Sequence, residues 1–253
     1  MRLLQVLAAA CLLPAATRAG VMERSIRTES SRTFHVQVSS AGGPRVGLMV
    51  FHGAVYEKNL LTSVTAYYEP LFKELVEAYP LAVVYPHGRA GRCPWDKTLV
   101  CWPQATPWED VGFVNEVVKR VGAEFGVSRW LALGVSNGGY YLASVIQSGE
   151  TLPFEGVVSC IGGKGWHRAA APAWTPALTI LAGARDSETL PAARELHADL
   201  KAWGYPARAP LVYEEFDGGH EIPEALLKAT LRRVVEGALG PPGPRALIQP
   251  IRK

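Results

Sequence analysis

From residue 32 onward the chain alternates between short apolar runs and amphipathic stretches. Thr33-Phe34-His35-Val36-Gln37-Val38 alternates apolar and polar residues at period two, which predicts a half-exposed strand. Val46-Gly47-Leu48-Met49-Val50-Phe51 is a continuous apolar run, the pattern of a strand covered on both faces. Over 64–78, Leu71, Phe72, Leu75 and Val76 recur at helical spacing, and Pro80 closes the segment. The same reading gives strands at 81–85, 130–133, 157–161, 178–181 and 211–213, and helices at 109–125, 140–147, 192–203 and 224–236. Strands that alternate with helices of this length predict an α/β protein: a mainly parallel sheet with helices on both faces. No repeat or linker interrupts the pattern, so one domain over 20–239 is expected. The tail at 240–253, with Pro241, Pro242 and Pro244, is expected to be loose.

Composition alters this picture mainly at the N-terminus. Arg2 precedes a stretch, 3–16, that is apolar apart from Gln5; Pro14 breaks it, and Thr17-Arg18-Ala19 offers small residues to a signal peptidase. Residues 1–19 therefore read as an export leader. The run is shorter than the ~20 residues that span a bilayer, so no stable membrane anchoring is expected. The formal charge of +3 includes Arg2 and Arg18, and 3 − 2 leaves +1 after processing. That balance gives no electrostatic reason to expect a nucleic-acid partner. A hydrophobic fraction of 48% with 19% charged residues excludes a disordered chain.

Export also bears on the four cysteines. Cys11 leaves with the leader. Cys93 and Cys101 bracket a short loop containing Pro94 and Trp95, and a disulfide between them is expected. Cys160 lies in an apolar run and reads as an inert core thiol. No Cys-x-x-Cys pair occurs and no two histidines stand at ligand spacing, so neither a metal nor another cofactor is expected.

The chemistry concentrates in Gly134-Val135-Ser136-Asn137-Gly138-Gly139, which follows a strand and precedes a helix. A sharp strand-to-helix turn of this kind presents a serine at strained φ/ψ, and the helix N-terminus behind it favours developing negative charge. Ser136 is thus the candidate nucleophile. Its base must be a later histidine, held by a carboxylate. His167 comes too early to leave room for an acid, and His197 sits inside an amphipathic helix near Glu195 and Asp199. His220, in Asp217-Gly218-Gly219-His220 after the last strand, is the candidate base. Asp186, just past the 178–181 strand, is the candidate acid, with Glu188 in reserve; Asp217 reads as a turn residue. The oxyanion donors expected are the backbone N–H groups of Asn137 and Ala54. His52 is expected to brace the loop that carries Ala54.

At this point the residues resemble a known group. His52-Gly53, the Ser136-Asn137-Gly138-Gly139 elbow, the Asp110-Val111-Gly112-Phe113 helix start and Gly219-His220-x-x-Pro223 are similar to the α/β-hydrolases of the polyhydroxybutyrate depolymerase and feruloyl esterase group, over 32–237. The resemblance implies an α/β-hydrolase fold, a triad of Ser136, Asp186 and His220, and extracellular action on small-molecule or polymeric esters. Ala54-Val55-Tyr56 departs from the Gly-rich sequence common after His-Gly in the group. The stretch 162–177 is too short for a large lid, and Trp102 and Trp166 are expected to wall an open cleft. A serine peptidase of the same fold would share the triad, and an inactive binding module would keep only the scaffold.

Overall fold

The computed structural model describes residues 21–28, 32–39, 46–56, 67–93, 95–165 and 172–239. The expected leader, the Pro-rich tail, His167 and Trp166 lie outside the described residues. In chain order the elements are β1 (Val21–Arg27), β2 (Thr33–Ser39), β3 (Val46–Phe51), β4 (Val55–Tyr56), α1 (Glu69–Ala78), β5 (Leu81–Pro86), β6 (Arg89–Ala90) and β7 (Leu99–Cys101). They continue with α2 (Trp108–Phe125), β8 (Arg129–Val135), α3 (Asn137–Ser148), β9 (Gly156–Cys160), β10 (Ala177–Gly183), α4 (Leu190–Ala202), β11 (Leu211–Phe216) and α5 (Glu224–Leu239).

The main sheet runs β1-β2-β5-β3-β8-β9-β10-β11. The β1–β2 and β2–β5 pairs are antiparallel and every other pair is parallel. Parallel neighbours need crossover connections, and the amphipathic helices supply them. Period-two alternation sends Met49 and Phe51 of β3 to one face and Leu48 and Val50 to the other. The first face is covered by Val114 and Val117 of α2, Tyr141 of α3 and Leu196 of α4. The second is covered by Phe72 and Val76 of α1 and by Leu231 and Val235 of α5. Sheets covered on both sides produce the continuous apolar runs seen at β3 and β5.

The strand at β2 departs from expectation. It is buried on both faces from Phe34 onward, not half-exposed. Its polar positions are matched inside the protein: His35 Nε2 meets Glu69 Oε1 at 2.5 Å, and the Tyr85 hydroxyl donates to Gln37 Oε1 at 2.6 Å. Polar residues with buried partners mimic a solvated face in the sequence pattern. The helix read over 64–78 begins at Glu69, and 64–66 lie outside the described residues.

A second, antiparallel sheet of three short strands has the order β4-β7-β6. A disulfide between Cys93 and Cys101 closes the loop that leads into β7. Next to it, Asp110 at the start of α2 is fully buried. Arg32 Nη1 donates to its Oδ1 at 2.7 Å, and the guanidinium carbon lies 3.6 Å from the centre of the Phe113 ring. Arg89 Nε stands 3.0 Å from the same oxygen. The Asp-Val-Gly-Phe motif therefore fastens α2 to the residue ahead of β2 and to β6, a structural use of its charge.

Candidate active site

The turn between β8 and α3 carries Ser136 at φ 50° and ψ −114°, a conformation that a residue with a side chain adopts only under strain. Such strain costs on the order of 1–3 kcal/mol and persists only where the surroundings enforce it. Here the Ser136 N–H donates to the Cys160 carbonyl of β9 at 2.9 Å, and the Ser136 carbonyl accepts from Tyr140 N–H at 3.0 Å. Close packing holds the other side of the turn: a Cβ on Gly138 would come within 2.1 Å of the Phe51 carbonyl oxygen. No side chain but hydrogen fits there.

Two loops beyond the sheet reach the same serine. His220 follows β11, and its Nε2 lies 3.0 Å from Ser136 Oγ. Asp186 follows β10, and its Oδ2 lies 2.8 Å from His220 Nδ1. The loops meet at backbone contact, since a Cβ on Gly183 would stand 2.2 Å from the Gly219 carbonyl oxygen. The Asp186 side chain is 2% exposed and that of His220 39%, so the carboxylate is sealed while the imidazole faces the solvent side. Burial pushes the Asp186 carboxyl up, but hydrogen bonds from the Thr189 hydroxyl, His220 and the Thr189 N–H outweigh it and hold the group below the usual aspartate value. An ionised Asp186 only accepts, so Nδ1 carries the imidazole proton and Nε2 is left to accept from Ser136. Beside them passes the loop after β3: a Cβ on Gly53 would lie 3.4 Å from Ser136 Cβ. Ala54 follows directly, and Asn137 opens α3.

No protein-family model matches the chain, and no curated protein matches it in sequence. Solved structures do. A carboxylesterase from Mesorhizobium loti superposes with a TM-score of 0.59 at 19% identity, over 82% of this chain and 98% of that one. A ferulic acid esterase gives 0.58 at 15% identity, over 86% and 96%. The Bacillus cereus carboxylesterase gives 0.54 at 18% identity, over 84% and 92%. The chain has the α/β-hydrolase fold. In that fold's terms the serine, the carboxylate and the histidine sit on the loops after β8, β10 and β11.

The same frame corrects one sequence expectation. Trp102 does not wall a cleft; it is fully buried, with ring centres of Phe51 and Tyr141 at 4.9 and 5.5 Å. A tryptophan beside a disulfide and an apolar helix gains more from burial than from exposure, and the core took it. Glu188 and Asp217 are exposed, and Asp217 pairs with Arg185 at 2.6 Å. His197 stacks on Tyr213 with ring centres 4.6 Å apart. Cys160 is buried, and burial pushes its thiol up. Three contacts were not anticipated: the Thr189 hydroxyl on Asp186 Oδ2, the Gly88 N–H on His52 Nε2 at 3.0 Å, and the Asn137 side chain on Trp102. Only the first left a trace in the sequence, a local Asp-Ser-Glu-Thr turn.

His52 braces the loop as expected. Its Nδ1 donates to the Gly53 carbonyl at 2.6 Å and its Nε2 accepts from Gly88. Burial, the largest influence, pushes its pKa down to about 4 despite the Gly53 hydrogen bond, and burial likewise holds His87 at about 4. In the unfolded chain both would protonate near ~6.5. The folded form therefore binds fewer protons between these values, and stability present above pH ~6.5 is lost as pH falls toward 4, on the order of 1 kcal/mol per unit for each histidine. We expect the melting temperature to drop across this window, and His52→Gln to drop less. An equal drop in both proteins would assign the acid sensitivity elsewhere.

Proposed function

We propose that the protein is a serine carboxylic-ester hydrolase working through an acyl-enzyme. The observation that carries this reading is the unbroken relay from buried Asp186 through His220 to Ser136 on a strained turn. Ser136 Oγ attacks the ester carbonyl carbon while His220 Nε2 takes its proton. The tetrahedral oxyanion meets the backbone N–H groups of Ala54 and Asn137. On collapse the C–O bond breaks and the imidazolium returns the proton to the leaving alcohol. Water, deprotonated by the same imidazole, then releases the acid and restores Ser136. Asp186 keeps the imidazole in the required tautomer and does not itself take up the proton.

The substrate class proposed is a feruloyl-type or hydroxyalkanoate ester, small or polymeric. A ferulic acid esterase among the structural neighbours supports it, as does the sequence resemblance. Export is proposed on the leader and the disulfide, which persists in oxidising compartments. Among the described residues no helix is long and apolar enough to cross a membrane.

Purified protein should react with a fluorophosphonate at Ser136 and then be tested on p-nitrophenyl butyrate and palmitate, methyl ferulate, a polyester film and a peptide amide. We expect labelling, and kcat/KM falling from butyrate to palmitate, because the stretch 162–177 is too short for a large lid to surround a long acyl chain and collect the ~0.8 kcal/mol per buried methylene. A palmitate preference would contradict the substrate class, peptide cleavage would favour a peptidase, and an unlabelled serine would leave only a binding module.

A further inference from the structure

We infer that the Asn137 side chain is a positioning residue for the oxyanion donors, and that the Cys93–Cys101 disulfide acts on the nucleophile through it; this rests on the ester-hydrolase reading. The Asn137 carboxamide is buried at 1% exposure. Its Oδ1 accepts the Trp102 N–H at 2.7 Å, and its Nδ2 donates to the Trp102 carbonyl at 3.3 Å. One amide thus satisfies both backbone polar groups of one residue, a two-point restraint that fixes the first residue of α3. The partner is itself fixed. Trp102 follows Cys101, which is bridged to Cys93 and paired with Arg89 in β6.

The other expected donor hangs on the same segment. Ala54 runs directly into β4, where Val55 pairs with Val100. The Gly88 N–H, just ahead of β6, holds the ring of His52 two residues before Ala54. Gly88, Val100 and Trp102 therefore grip both halves of the oxyanion site, Ala54 through the His52 ring and strand pairing and Asn137 by its side chain. Amides aimed at a developing charge act through precision of placement, and misplacement by an ångström loses much of the effect. Freed of Trp102, the Asn137 N–H would still be present but no longer held in place.

The test uses the whole protein, after fluorophosphonate labelling has identified Ser136 as the reactive residue; failure at that stage counts against the hydrolase reading and not against the positioning role. In Asn137→Ala we expect kcat on p-nitrophenyl butyrate to fall about 10- to 100-fold, short of the ~10²–10³-fold seen when an oxyanion donor is removed outright. KM should stay within about twofold, because ground-state binding does not use these donors. Affinity for a boronic acid, which forms a tetrahedral adduct with Ser136, should weaken by the same factor as kcat. Cys93→Ala/Cys101→Ala should show the same split, and combining it with Asn137→Ala should cost less than the product of the separate losses, as coupled sites do. A merely structural role would lower the melting temperature and leave kcat per labelled serine and the boronate affinity unchanged, and that result overturns the proposal. So would losses that multiply in the combined variant. If Asn137→Ala does not fold, the cysteine variant decides, since unchanged kcat and boronate affinity there refute the coupling.

Discussion

Ser136→Ala is expected to remove ester hydrolysis, lowering kcat by about 10⁶-fold, the scale reached when a triad nucleophile is deleted. The remaining groups cannot substitute. Asp186 is sealed behind His220, and His220 has no other hydroxyl at its Nε2 among the described contacts. The fold should survive, because the Ser136 Oγ hydrogen bond to His220 is not part of the core and the backbone contacts of residue 136 are kept. Alanine still has to adopt φ 50°, so a small change in melting temperature is expected. The measurement is turnover of p-nitrophenyl butyrate by protein cleared of host esterases, alongside circular dichroism. Activity within about 100-fold of the parent would remove Ser136 from the reaction.

Asp186→Asn is expected to cost about 10⁴-fold, and the reason lies in which oxygen does what; the magnitude follows the corresponding exchange in serine proteases. Asp186 Oδ1 accepts the N–H groups of Glu188 and Thr189, both at 3.1 Å. In the amide the carbonyl oxygen must take that place, since an NH2 there would face two donors. The NH2 group then replaces Oδ2 and donates to His220 Nδ1. The imidazole responds by carrying its proton on Nε2, where it can no longer accept from Ser136. Asp186→Ala leaves the tautomer free and should be the more active of the two at alkaline pH. A loss below about tenfold in Asp186→Asn would show that the carboxylate does not set the tautomer.

How much of this could be read beforehand differs from element to element. β3 and β8 announce themselves because both faces are covered and the whole run is apolar. β2 misleads, because His35 and Gln37 find buried partners that periodicity cannot see. β4, β6 and β7 are two or three residues long, shorter than any period can register. The meeting of Ser136, Asp186 and His220 was legible, since the chain order of serine, acid and histidine follows strand order, and the three loops do meet. The Trp102 environment was not. Whether an aromatic residue near a site lines it or supports it depends on packing between Phe51 and Tyr141, residues far from it in sequence. The same holds for the Asn137 clamp, a contact across 35 positions.

The separation of the proposed triad along the chain has a consequence for folding order. Ser136 and His220 stand 84 positions apart, Asp186 and His220 34. On the proposed mechanism, a chain emerging from its N-terminus that has folded only through α3 would hold Ser136 with no base at hand, and so could not cleave esters. Only when β11 adds to the sheet edge and α5 settles against β3 and β9 does the imidazole arrive. On that mechanism competence coincides with completion: the last strand to join is the one that brings His220 to Ser136.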